Sequence, residues 1–162
     1  MIDGLINREL IGRCQYDVTR LYRLATLIEE GGFSDRGLPP SESTGTVIAL
    51  WSHFCRTGFL SVRILDHLDE TNLHLVDGGA IMALLDSLPT KAFQVLSVHD
   101  CFRCLPRYAN DLRQQYRELL AQLAKSDLLN DLLRQLAGPE AQVTKADPDL
   151  WEDILESEYA LS

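Results

Sequence analysis

The chain has 162 residues, of which 46% are hydrophobic, and 15 Lys and Arg against 24 Asp and Glu give a formal charge of −9. This composition is typical of a globular domain and excludes disordered and collagen-like chains. No apolar run approaches the ~20 residues of a membrane span, residues 1–8 lack the apolar core of a signal peptide, and the acidic balance argues at first sight against a stand-alone nucleic-acid binder.

The N-terminal region, residues 1–70, is predicted to be mainly helical. Apolar residues recur at three- and four-residue spacing over residues 10–28, which predicts one long helix ended by a pair of glycines. Residues 33–46 are rich in Gly, Pro and Ser and predict a mobile loop. A second helix is predicted over residues 47–58, and the alternation across residues 59–65 predicts a half-buried strand.

The C-terminal region, residues 71–162, combines strands and helices. Asp77-Gly78-Gly79 opens a short helix, residues 92–98 form the best strand of the chain, and residues 102–105 can return beside it. The expected N-caps of three further helices are Asn110 or Asp111, then Ser126, then Asp147. We therefore predict an α+β fold with a small sheet packed against helices.

Charge is distributed unevenly along the chain. Residues 81–125 carry six basic and four acidic groups, whereas residues 126–162 carry two basic and nine acidic groups. Residues 26–80 are also acidic, with three basic and eight acidic groups. Of these three stretches, only residues 81–125 carry more basic than acidic groups, which suits contact with phosphates. The acidic end, residues 126–162, either is exposed to solvent or lies near a metal ion.

His99 and Asp100 follow the strongest predicted strand. A carboxylate at the tip of a hairpin can hold Mg²⁺ for phosphoryl transfer, although two metal ions need a second carboxylate from elsewhere. Alternatively, Asp100 is an ordinary turn residue.

Three other motifs have both a functional and a purely structural interpretation. Asp77-Gly78-Gly79 can bind an anion at a helix N-terminus, or it simply joins a loop to a helix. Cys101 and Cys104 have metal or redox spacing, but no second Cys pair is present, so we expect buried thiols in a reducing compartment. The acidic end at 151–162 is typical of a docking helix.

Three segments together resemble one enzyme family. They are NLHLVDGGAIMALL at 72–85, LSVHDCF at 96–102 and DILESEYALS at 153–162. In this order and near this spacing, they are similar to the C-terminal end of the phage-type single-subunit RNA polymerases, a family that includes the mitochondrial enzymes. The resemblance covers residues 71–162 and implies the hairpin and helices of a polymerase palm.

The resemblance implies roles for the residues at the hairpin. Asp100 matches the second catalytic aspartate, which binds two Mg²⁺ ions, and His99 matches the neighbour that shapes the site near the RNA 3′ end. Cys101 stands where the family usually has Ser. On this interpretation Arg103, Arg107, Arg113 and Lys125 are candidates for neutralising phosphates, with helix surface charge as the alternative for Arg113 and Lys125.

The other two segments are also assigned by resemblance. His74 and Asp77 match residues near the hybrid of template and RNA. Tyr159 to Ser162 match the short end that folds back toward the active site, although Tyr-Ala-Leu-Ser replaces the more usual Phe-Ala-Phe-Ala.

Two family motifs are missing. Nothing in the sequence matches the first catalytic aspartate with its Ser-Gly-x-Gln-His run, or the Arg, Lys and Tyr-Gly of the fingers. The first hypothesis is therefore one subunit of a divided RNA polymerase, inactive alone, which works with another polymerase chain, DNA template, nascent RNA and NTPs in the cytoplasm of an infected host cell, away from membranes. The alternatives are a degenerate or fragmentary palm that binds or regulates without catalysis, and an unrelated helical interaction protein.

Overall fold

The computed structural model describes residues 2–98 and 101–157. Within these ranges 60% of the chain is helical and 4% is strand, which confirms the α+β prediction. No helix in the described part is long and apolar enough to cross a membrane. The elements, in chain order, are α1 (Ile2–Cys14), α2 (Val18–Glu29), α3 (Thr44–Thr57), 3₁₀ turns at Val62–Asp66 and Leu73–Leu75, α4 (Gly78–Asp86), β1 (Leu96–Val98), β2 (Cys101–Arg103), a 3₁₀ turn at Pro106–Tyr108, α5 (Ala109–Lys125), α6 (Leu128–Ala137) and α7 (Leu150–Glu156).

Two hydrophobic clusters form the core. The first cluster joins α2, α3, α4 and the segment between α3 and α4. Its buried members are Leu24, Val47, Val62, Ile64, Leu65, Leu68, Leu73, Val76, Ile81 and Leu84. The second cluster joins α1, α5, the residues just before β1 and Phe59, which follows α3. Its buried members are Leu10, Cys14, Phe59, Phe93, Val95 and Leu119. Both clusters combine residues from the two predicted regions, and the boundary at residue 70 stays a prediction.

The single long helix predicted over residues 10–28 is wrong, because the chain breaks between α1 and α2. Asp17 caps the second helix, and its Oδ1 accepts hydrogen bonds from Thr19 N at 2.8 Å and Arg20 N at 3.2 Å. The carbonyl of Cys14, at the end of α1, accepts from Phe93 N at 2.8 Å. A side-chain cap and a tertiary backbone bond thus divide a continuous apolar pattern into two helices.

The strand predicted over residues 59–65 is also wrong, because this segment forms the 3₁₀ turn Val62–Asp66. The buried Glu9 carboxylate accepts from the hydroxyl of Ser61 and, at 2.8 Å, from the amide of Val62. That amide is satisfied by a side chain, so it does not need a neighbouring strand. The turn buries Val62, Ile64 and the adjacent Leu65, which an alternating strand would not do, and it packs against α1 and α3.

The remaining helices are confirmed, with shifted ends. Gly58 ends α3 in the left-handed conformation, with φ 73°. The N-caps of α5, α6 and α7 are Tyr108, Asp127 and Asp149, each one to three residues from the predicted caps. Such displacements are ordinary for helix boundaries read from sequence.

Candidate functional site

The hairpin predicted around residues 99 and 100 is present but short. β1 and β2 pair antiparallel, with Leu96 opposite Arg103, Ser97 opposite Phe102 and Val98 opposite Cys101. The predicted strand at 92–98 is therefore paired only over its last three residues. Its first half is held by the core instead, since the side chains of Phe93 and Val95 are buried there.

Three of the six proposed site residues lie outside the described residues. They are His99, Asp100 and Ser162, and Tyr159 lies outside with them. In sequence, His99 and Asp100 lie between Val98 and Cys101, which form a cross-strand pair. The catalytic role assigned to these two residues stays a prediction.

Two contacts fix the hairpin to the rest of the molecule. Asn7 of α1 donates from Nδ2 to Ser97 Oγ at 3.0 Å. The ring of Phe102 packs against the ring of Tyr116 on α5, with centroids 5.7 Å apart. Ser97 and Phe102 form one cross-strand pair, so the inward face of the hairpin is attached to α1 and to α5.

Asp77 has a structural role at the start of α4. Its Oδ1 accepts from Ala80 N at 2.8 Å, as an N-cap does. A Cβ on Gly78 would lie 3.0 Å from the ring of Phe33, so the glycine allows this ring to pack closely against the start of α4. His74 lies half-buried in the preceding 3₁₀ turn. The helix start predicted from Asp77-Gly78-Gly79 is confirmed, and the anion-binding interpretation stays a prediction.

Three consecutive residues of α5 reach three different parts of the molecule. Gln115 donates from Nε2 to the carbonyl of Ser87, just after α4, at 2.7 Å. Tyr116 contacts the hairpin, and Arg117 donates from Nη1 to the carbonyl of Ser157 at 3.1 Å. Successive helical side chains point about 100° apart, which is why one turn serves three neighbours. Two of the three segments that carry the resemblance, 96–102 and 153–162, therefore contact α5 directly. The third, 72–85, ends two residues before Ser87, which also contacts α5.

We call residues 150–157, which comprise α7 and Ser157, the closing segment. It runs antiparallel along α5, because Trp151 at its start lies by Lys125 while Ser157 at its end lies by Arg117. The Nζ of Lys125 is 4.1 Å from the centroid of the Trp151 ring. Lys125 and Arg117 therefore hold the two ends of this segment against α5.

A buried polar cluster joins α1 to α5 and to the end of α4. Arg13 of α1, 1% exposed, donates from Nε to Gln115 Oε1 at 2.7 Å and from Nη2 to Ser87 Oγ at 2.8 Å. One turn earlier on α1, burial raises the pKa of Glu9, while hydrogen bonds from Ser61 and Val62 act in the opposite direction.

Sequence analysis missed this cluster. The available signal was an acid–base pair at i and i+4, Glu9 and Arg13, directly beside the apolar pair Leu10 and Cys14. Adjacent pairs of this kind share one broad face of a helix, so both were candidates for burial.

The other chemistry-bearing residues are dispersed. Arg103 is exposed on β2. Cys101 is exposed too, so the buried-thiol prediction is wrong for it, because Phe102 takes the inward position on the strand. Burial raises the pKa of the half-buried Cys104 and raises that of the core residue Cys14 to about 12. Across residues 2–98 and 101–157, no group of three or more His, Cys, Asp or Glu could hold a metal ion.

Comparison with known proteins adds no family: no protein-family model matches the sequence, and no curated protein matches it.

Proposed function

We propose that this chain is one part of a DNA-directed RNA polymerase of the phage type. It contributes Asp100 as one metal-binding carboxylate, and another chain supplies the first aspartate and the fingers. The observation that carries the proposal is the ordered set of three sequence segments at 72–85, 96–102 and 153–162.

The arrangement of the described residues supports this proposal. A carboxylate that works on phosphate needs a rigid support, and the strands on either side of His99 and Asp100 are attached to two helices. The closing segment, separated from the hairpin by about fifty residues in sequence, is attached to the same helix α5 through Arg117. Two distant parts of the resemblance therefore share one support.

Mg²⁺ fits this proposal only as an ion shared with another chain. The described residues provide no group of ligands for it, and Asp100 alone would supply one carboxylate. When bound, paired Mg²⁺ ions lower the pKa of the attacking hydroxyl and stabilise the leaving group. The part played by this chain is to hold the Asp100 carboxylate and to place the exposed Arg103 on the adjoining strand, where it can face phosphate oxygens.

The test is an Asp100→Ala variant in the complex formed with a co-purifying polymerase chain. We expect transcription to fall by about three orders of magnitude or more, because loss of a carboxylate ligand removes several kcal/mol of transition-state stabilisation. Run-off RNA synthesis on a cognate template measures the effect. Assembly, measured by co-purification, should be unchanged.

Asp86→Ala is the matched control, because it removes an exposed carboxylate at the end of α4. We expect full activity from this variant. Unchanged transcription by Asp100→Ala would contradict the catalytic proposal and would favour a palm that binds without catalysing. A chain that purifies without any partner carrying the first aspartate would contradict the divided enzyme.

A further inference from the structure

The helix α6 carries a row of leucines on a face that the described part of the chain leaves largely uncovered. The row consists of Leu129, Leu132, Leu133 and Leu136, at i, i+3, i+4 and i+7, and we call it the leucine stripe. Leu129 is 50% exposed and Leu136 is 72% exposed, while the two between them are half-buried. Such a stripe on an amphipathic helix normally faces a core.

The reason for this orientation is visible on the opposite face of α6. Among the residues of this helix, all of them described, the one buried side chain is Asp131. Its Oδ1 accepts from Arg56 Nε on α3 at 3.2 Å, and the amide of Asp127 donates to the Thr57 carbonyl at 2.7 Å. Because Asp131 lies roughly 150° around the helix from Leu129 and Leu136, this polar attachment turns the stripe outward.

The segment that follows α6 is acidic. The chain from residue 138 to 157 is joined to α6 by a hydrogen bond from Val143 N to Asn130 Oδ1, at 2.7 Å. Within residues 126–157 both cations are engaged, Arg134 with Asp127 and Lys145 with the last carbonyls of α5. Six carboxylates remain exposed, namely those of Glu140, Asp147, Asp149, Glu152, Asp153 and Glu156.

We propose that the leucine stripe is a docking surface for a basic amphipathic helix of another protein. Leucines at i, i+3, i+4 and i+7 match the spacing by which helices pack, and the exposed carboxylates of the segment joined to α6 complement lysines and arginines. Charge disfavours a second copy as the occupant, since each chain carries −9. The stripe lies outside the three segments that resemble a polymerase, so the surface does not depend on Asp100.

The probe is a fluorescent helical peptide of Leu and Lys with its leucines on one face, added to the purified chain and followed by anisotropy. Two control peptides have the same composition with scattered leucines, or Glu in place of Lys. We expect the amphipathic basic peptide to bind and both controls to bind at least about tenfold more weakly. Equal binding of the scattered peptide or of the Glu peptide would overturn the proposal.

Leu136→Glu separates apolar docking from simple charge attraction. If the stripe docks the peptide, the variant should weaken binding by about tenfold or more, as expected when a leucine anchor becomes a charge. If carboxylates alone attract the peptide, the added charge should tighten binding. Val18→Glu is the matched control, because it places the same charge on a 61% exposed aliphatic residue of α2.

Folding and self-association are checked in the same variants. Leu136→Ser removes the apolar side chain without adding charge, and it should weaken binding while leaving the thermal unfolding curve unchanged. Unchanged or tighter binding by Leu136→Glu overturns the proposal. A wild-type dimer that Leu136→Glu converts to a monomer, measured by sedimentation, also overturns it, since a second copy would then cover the stripe.

Discussion

Helices α5 and α6 are both rich in leucine, yet they are attached to the molecule in opposite ways. α5 buries Leu119 in the second core cluster and also supports the hairpin and the closing segment. α6 has the more regular leucine stripe but buries Asp131 and exposes Leu136. The comparison teaches that apolar periodicity predicts a helix, whereas polar contacts with neighbouring elements decide which face turns inward.

The largest expected effect comes from the same substitution in the two helices. Leu119 is 1% exposed and Leu136 is 72% exposed. We expect Leu119→Ala to cost about 2–5 kcal/mol of unfolding free energy, because it leaves a cavity in the core. Leu136→Ala should change the unfolding free energy by less than about 0.5 kcal/mol. Urea unfolding measures both, and equal losses would mean that the stripe is covered within the isolated chain.

A smaller effect is expected from one glutamine in each helix. Gln115→Ala removes the acceptor of the buried Arg13 Nε and the donor to the Ser87 carbonyl, and should cost about 2–3 kcal/mol. The exposed Gln135 of α6 donates to Asp131 Oδ2 at 2.8 Å, and Gln135→Ala should cost less than about 0.5 kcal/mol. Thermal unfolding of the two variants gives the comparison, which fails if Gln135→Ala is the more damaging.

The smallest effect concerns the acid that attaches α6. The hydrogen bond from Arg56 holds the pKa of Asp131 below its usual value of 3.8. Because the folded-state pKa is lowered, this contribution is present above pH 3.8 and is lost as the pH falls through the folded-state pKa. Arg56 is 54% exposed, so we expect about 0.2–1 kcal/mol.

Asp131→Asn tests this attachment. The difference in unfolding free energy between wild type and variant, followed by urea unfolding from neutral pH downward, should shrink as the carboxylate is protonated. A difference that stays constant with pH would mean that the Asp131 charge contributes nothing to holding α6.

Much of the fold follows from local sequence, because caps and apolar spacing act over a few residues. The helices α3 to α7 could be predicted in this way, as could the hairpin. The break before α2 has a local signal, the N-cap Asp17, which the continuous apolar pattern concealed, and a tertiary one, the bond from Phe93 to the end of α1. The 3₁₀ turn at Val62–Asp66 could not be predicted locally, since it depends on Glu9, far earlier in the chain.

In the candidate site, too, local features could be predicted and contacts between distant residues could not. Asp77 could be identified as the start of α4 from its neighbours alone. The role of Arg117 could not, because its partner Ser157 is forty residues away and is recognised through its backbone carbonyl, which no side-chain pattern reveals. The assignments of Asp100 and His99 stay predictions from resemblance.

The three contacts made by residues 115–117 have a mechanical consequence. A helix whose consecutive side chains are fixed to three separate neighbours can neither slide along its axis nor rotate about it without straining all three contacts. The hairpin and the closing segment are therefore coupled through one turn of α5, because a displacement of that turn would strain the contact between Phe102 and Tyr116 and the hydrogen bond between Arg117 and Ser157 together.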